Sequence, residues 1–323
     1  MTNLTNLFSS IEIEISELNT NLTKMVNAKH PILYSAAEHL LKKKGKKIRP
    51  SIIFFIAKIT TINKAINSNH ARLAEITEII HTASLVHDDV IDDCDKRRGL
   101  DTVHNIFSTK IAVLAGDFLF AQSSWYLANL NNLDVVKIIS KVIIDFAEGE
   151  VRQGLISFDP TITIEDYIEK SFYKTATLIA CSCKATAILS KCSQETQNDL
   201  YLYGKHIGLA FQIIDDILDI TSNTNTLGKP AGSDLKNGNL TAPIIFALEE
   251  NKELYQFINN EFYSEKDISK AINIIKNTKG ILKAKDLAEE HIQLAIQIIK
   301  NKFACENTKL LILTSNYILN RVN

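Results

Sequence analysis

The sequence predicts an all-α protein, on three observations. Apolar residues recur at three- and four-residue intervals over long stretches, and no alternation of period two persists anywhere. Five of the 16 Gly and Pro residues gather in one stretch, 222–243, which marks an irregular loop between helical segments. No Pro- or Ser-rich linker divides the chain, so residues 1–323 are expected to be a single large domain, for which a hydrophobic content of 46% supplies a sizeable core. A net charge of −1 argues against a nucleic-acid partner, which would select a basic surface. Cys94, Cys181, Cys183, Cys192 and Cys305 form no CxxC pair and no Cys/His metal spacing, as suits reduced thiols. No basic-then-apolar leader and no apolar run of membrane-span length is read, so a cytoplasmic location is expected.

In chain order, residues 4–28 alternate apolar and acidic positions as an amphipathic helix, until His30-Pro31 breaks it by restricting the residue before proline. Residues 32–44 form a second helix that runs into a basic patch from Lys42 to Pro50. The patch admits two readings: a solvated helix end that complements the helix dipole, or an anion clamp in which a turn at Gly45 throws Lys46 and Arg49 to one side. Helices follow over 51–60 and 70–93, then over 107–129, where Gly116-Asp117 is read as an interruption, and over 134–154. Asp159-Pro160 makes a turn, and Thr163 with Asp166 resembles a capping box at the next helix start. That helix carries Lys174-Thr175 among small residues. Another spans 195–220. Residues 222–243 hold Gly228, Pro230, Gly232, Gly238 and Pro243 and read as an irregular loop, with Lys229 placed to reach an anion. The remainder is helical with breaks near Asn251, Ser264 and Lys279, and 310–323 is a short final helix.

Two acidic motifs stand out on these helices. At about 100° per residue, His81, Leu85, Asp88 and Asp92 share a stripe, with Ser84 and Asp89 at its edges. Like charges at that spacing repel, so a cation is expected among them. Oxygen-only ligands suit a hard divalent ion such as Mg²⁺. Alone, such a face is more often merely solvated. A second copy, Asp215-Asp216-x-x-Asp219 preceded by Gln212, weighs against that bland reading and points to several Mg²⁺ ions gripping a diphosphate. Beyond the first motif, Arg97 and Arg98 suit phosphate oxygens the ions leave free. With a polyanion site in hand, the clamp reading of Lys46 and Arg49 is preferred, and Lys174 becomes a phosphate contact instead of a snorkelling lysine.

Together, Gly45 to Pro50, His81, the two DDxxD motifs, Arg97-Arg98-Gly99, Lys174-Thr175, Phe211-Gln212 and Gly228-Lys229-Pro230 resemble, in order, the trans-isoprenyl diphosphate synthases. The resemblance covers residue 30 to the C-terminus. It implies antiparallel helices around a deep central cavity, usually in a homodimer with which residues 1–28 could associate. It also implies an allylic diphosphate held through three Mg²⁺ by Asp88, Asp89, Asp92, Asp215, Asp216 and Asp219, with Arg97, Lys174, Thr175, Gln212 and Lys229 as further contacts. Isopentenyl diphosphate would occupy Lys46, Arg49, His81 and Arg98. Catalysis would rest on Asp88, Asp89, Asp92, Lys174, Asp215 and Asp216, which favour departure of the diphosphate and so need no Ser/His/Asp set. Two departures are visible: Lys44 stands where the family usually has glycine, and Asn239 where many members have lysine.

Chain length turns on residues below Asp88. Ala83 and Ser84 are small where an aromatic would close the tunnel early, and Phe118 and Phe120 are candidates for a deeper floor. The nearest resemblance is to long-chain bacterial octaprenyl diphosphate synthases that supply quinone side chains, which implies a C40 product from farnesyl diphosphate, within a range of seven to ten units, and peripheral membrane association through the lipid product. Geranylgeranyl or farnesyl diphosphate synthesis is the nearest alternative. A terpene cyclase would replace the second DDxxD with a mixed triad, and a non-catalytic partner subunit would lose the acidic motifs. This chain keeps both.

Overall fold

The computed structural model describes residues 9–41, 45, 47–61, 65–97, 99–222, 232–303 and 308–322, the side chain of residue 322 excepted. Its elements are α1 (Glu12–Met25), α2 (Pro31–Leu41), α3 (Ile48–Thr60), α4 (Ser68–Ile91), β1 (Lys96–Arg97), β2 (Leu100–Asp101), α5 (Val103–Ile106), α6 (Thr109–Ala128) and α7 (Leu133–Leu155). There follow α8 (Ile164–Ser171), a π-helical turn (Phe172–Ala176), α9 (Thr177–Leu189), α10 (Gln194–Thr221), α11 (Ser233–Lys236) and α12 (Ala242–Glu250). Last come α13 (Leu254–Asn259), α14 (Glu265–Asn277), α15 (Gly280–Lys302), α16 (Thr308–Leu319) and a 3₁₀ turn (Asn320–Val322). The all-α expectation holds, and the one β feature among the described residues is the two-residue hairpin, with Arg97 opposite Leu100.

These elements form two compact units. The first takes in the described residues of Met1–Ile143, Leu178–Gly204 and Ile296–Thr314. Its centre is α4, whose Leu73, Ile76, Ile79, Ile80, Ala83 and Val86 are fully buried and which packs chiefly on α6 and α3. Asn67 caps α4 by accepting from the His70 backbone N–H, while the His70 ring takes part in the reciprocal cap bond and meets Ser190 Oγ. That makes His70 structural. Two expectations fail on α6. Gly116-Asp117 does not interrupt the helix, because Gly116 is there to admit the His87 ring, which a Cβ would strike. His87 Nε2 donates to the Val113 carbonyl at 3.1 Å, off the acidic stripe as its helical position requires. Nor is the chain without a helix of span length, since Thr109–Ala128 is long and apolar enough by length and composition, although Lys110, Asp117, Gln122, Ser123 and Ser124 break up its apolar run in the sequence.

The second unit takes in the described residues of Ile144–Thr177, Lys205–Ala295 and Ser315–Asn323. Ile213, Ile214, Ile217 and Ile220 of α10 lie at its core with Tyr167, Leu235, Leu240, Ile244 and Ile275. Because these isoleucines flank the acidic positions, α10 carries Asp216 and Asp219 into the core, while Asp215 stays partly exposed. The Thr163 capping box forms as read, with Asp166 reaching back to the Thr163 N–H. The breaks near Asn251, Ser264 and Lys279 fall between α12 and α13, before α14 and before α15.

Candidate active site

The first acidic motif closes α4. Asp88 and Asp92 are half-buried near the C-terminal end, with Asp92 at the C-cap. Asp89 turns inward to 1% exposure, where Arg97 Nε, brought round by the hairpin, donates to its Oδ1 at 2.6 Å. Burial pushes the Asp89 carboxyl up from its ordinary range, and the Arg97 guanidinium pulls it part of the way back. Its Oδ2 is buried and meets no donor among the described residues. Three carboxylates on one turn, one of them with an oxygen left without a donor, fit a hard cation with oxygen ligands.

One turn and more below, the Arg49 guanidinium donates to His81 Nε2 at 3.0 Å, so that ring nitrogen is unprotonated in this arrangement. Lys47 precedes α3 in a left-handed conformation (φ 48°) that turns its side chain inward to an ion pair with Glu78 at 2.8 Å. Lys47, Glu78, His81 and Arg97 line one pocket together with the apolar Leu40 and Leu85. Arg49 and His81 therefore meet, as the resemblance implied, while Lys46 and Arg98 lie outside the described residues. Sequence reading missed Lys47 and Glu78; the positive φ that turns Lys47 inward carries no local signature.

In the second unit the π-helical turn is the organising feature. A widened turn of this kind re-aims side chains and recurs at functional sites. Here it carries Lys174 and Thr175. A Cβ on Gly208 would lie 2.5 Å from Ala176 Cα, so only glycine lets α10 approach the turn this closely. The approach brings Thr175 Oγ1 to donate to Gln212 Oε1 at 2.6 Å, while Gln212 Nε2 donates to Asp216 Oδ1 at 2.7 Å. Tyr167 O–H donates to Asp216 Oδ2 at 2.6 Å. Burial holds the Asp216 carboxyl well above the usual carboxylate range, with Asp234 adding to the shift and the Tyr167 bond opposing it. Lys174 Nζ pairs with Glu150 at 2.7 Å. Asp219 Oδ1 accepts from Ser233 Oγ at 3.1 Å. Asp215 pairs with Arg321 at 2.7 Å. The second motif thus has its oxygens engaged by the chain's own donors, and a cation would have to exchange with them. Among the described residues no group of three His, Cys, Asp or Glu side chains converges as a ready-made metal site. Lys229, with Gly228 and Pro230, lies outside the described residues. Tyr167, Glu150 and Arg321 escaped sequence reading because their contacts join distant segments. Of the residues expected at a chain-length wall, Ala83 is fully buried, while Ser84, Phe118 and Phe120 are partly buried.

The first aspartate motif is met by Arg97, and the second by Tyr167 and, through Gln212, by Thr175. Residues 30–275 match the polyprenyl synthetase family, and the chain belongs to it. A prenyl transferase of Porphyra purpurea is 60% identical, over 92% of each chain. Solanesyl diphosphate synthase 2, chloroplastic, of Arabidopsis thaliana is 49% identical over 91% of this chain and 71% of its own. The crystal structure of a polyprenyl synthase from Caulobacter crescentus, complexed with calcium and isoprenyl diphosphate, superposes with a TM-score of 0.93 at 30% identity, over 99% of this chain and 98% of that one. The chain is a prenyltransferase with the fold of those synthases.

Proposed function

We propose that the chain is a long-chain trans-polyprenyl diphosphate synthase, adding isopentenyl diphosphate head-to-tail to an allylic diphosphate, with farnesyl diphosphate as primer. The observation that carries this reading is the pair of intact acidic motifs, each accompanied by its own set of cationic or hydrogen-bonding groups. Mg²⁺, held by Asp88, Asp89 and Asp92 and by Asp215, Asp216 and Asp219, would supply charge neutralisation of the leaving diphosphate, with three ions as the expected number. Lys174, Thr175 and Gln212 orient the allylic diphosphate, and Arg49 and His81 hold isopentenyl diphosphate. The C1–O bond then breaks toward an allylic cation, the isopentenyl double bond attacks, and the proton leaves to the departing diphosphate. The whole chain works as one synthase domain. The resemblance supports assembly as a homodimer, and Val113, Leu114 and Trp125 stand exposed on α6.

The C40 product implied by resemblance supports quinone side-chain supply, and the solanesyl synthases among the relatives support C45 within the same seven- to ten-unit range. The test is incubation of the purified chain with farnesyl diphosphate, labelled isopentenyl diphosphate and Mg²⁺, followed by sizing of the dephosphorylated products. A C40 to C45 band is expected. A stop at C20 would transfer the reading to geranylgeranyl synthesis, and no incorporation would end it. Arg49→Ala should raise the Michaelis constant for isopentenyl diphosphate roughly ten- to a hundredfold, the worth of charge-assisted hydrogen bonds, with little change for the allylic substrate. An effect confined to the allylic substrate would reverse the assignment of the two sites.

A further inference from the structure

Lys170, on the last turn of α8, is only 5% exposed, whereas lysines ordinarily snorkel to water or pair with a carboxylate when buried. Its ammonium does neither. Among the described residues no carboxylate lies within ion-pair distance of it, and its hydrogen bond goes to the neutral side-chain oxygen of Asn239. The Tyr167 ring lies 5.5 Å away. Asp216 is occupied by Tyr167 and Gln212, and Asp234 accepts from Asn239 Nδ2 at 3.4 Å. Lys174 follows four residues later and acts on Lys170 as a like charge, with Asp216, Asp234 and Glu150 only partly offsetting the cost of burial.

Lys170 is thus a buried ammonium on a neutral acceptor, one turn before Lys174, whose own ammonium is paired with Glu150. On the reading of Lys174, Thr175 and Gln212 as allylic diphosphate contacts, we propose that Lys170 is a further diphosphate-binding residue, whose ammonium exchanges Asn239 for a diphosphate oxygen. The geometry also accounts for the departure at Asn239. A lysine there would bring a third ammonium against Lys170, and asparagine instead parks the cation already present.

The contact between Lys170 and Asn239 gives the test a rescue arm. Lys170→Gln should raise the Michaelis constant for farnesyl diphosphate roughly ten- to a hundredfold, leave that for isopentenyl diphosphate unchanged, and not lower the melting temperature, because a buried charge is removed. The double variant Lys170→Gln/Asn239→Lys returns an ammonium to the same place from the opposite side and should recover most of the loss. A Michaelis constant for farnesyl diphosphate that does not move, or a loss that Asn239→Lys fails to recover in a folded protein, overturns the proposal in favour of a structural role. Calorimetric titration with farnesyl diphosphate separates this from the synthase reading. A wild-type chain without turnover refutes the synthase reading alone, and the comparison of its binding with that of Lys170→Gln still decides the lysine.

Discussion

Replacing Asp88 with alanine is expected to lower turnover by about three orders of magnitude, with helix content and melting temperature close to those of the parent protein. The first half follows from what the carboxylate is placed to do. Groups that stabilise charge only as the diphosphate departs act on the barrier itself, and losing one costs on the order of a hundred- to a thousandfold; loss of the cation they hold costs more. The second half follows from where Asp88 sits. It is half-buried on the last turn of α4, so its removal opens no cavity in the core, and surface changes of this kind stay within about 0.5 kcal/mol. Asp89 is the instructive contrast. Alanine there would strand the Arg97 guanidinium beside a buried hole, so activity and stability would fall together and the two causes would be confounded. A parent-like rate in Asp88→Ala, measured as label incorporated from isopentenyl diphosphate at saturating Mg²⁺, would remove the first motif from catalysis.

The contrast between Asp88 and Asp89 also marks how far the sequence could be read. Helical spacing alone places Asp88 and Asp92 on one stripe and Asp89 at its edge, and α4 obeys that geometry. Whether the edge faces solvent or core depends on α6 and the hairpin, which the local pattern does not contain. Gly116 shows the same limit. As a helix-weakening residue it reads as a break, yet it is retained because the His87 ring fills the space a side chain would need. The capping box at Thr163 was legible because both partners lie within one turn. The π-helical turn at Phe172–Ala176 was not, since it accompanies the close approach of Gly208 from a helix some thirty residues on. Lys174, Thr175 and Gln212 could be found as a motif, but the hydrogen-bonded chain from Thr175 through Gln212 and Asp216 to Tyr167 needed the fold. Buried Lys170 is the extreme case: in sequence it is one more lysine on an amphipathic helix.

Ser84→Phe is expected to shorten the product from C40 or C45 to C20 or below, while the first condensations continue. Ser84 lies four residues before Asp88, about 6 Å down α4 on the same face. It is half-buried, and its hydroxyl only returns a hydrogen bond to the His81 carbonyl at 2.9 Å, so the side chain anchors nothing beyond its own turn. If the growing chain runs along this face, a ring at position 84 closes the path within the first units. Ala83 was expected to share this role, but it has no exposed surface and belongs to the packed side of α4. A ring forced in there must displace neighbours at a cost of about 1–3 kcal/mol, so Ala83→Phe should be read chiefly as a loss of stability. The deeper candidates divide in the same way. Phe118 and Phe120 lie two residues apart on α6 and so point to different sides of the helix. Phe120 already stacks edge-on against His87, with ring centroids 5.7 Å apart, which makes it part of the α4 contact. An unchanged product length in Ser84→Phe, from a protein that still melts cooperatively, would mean that this face of α4 is not the wall along which the chain grows.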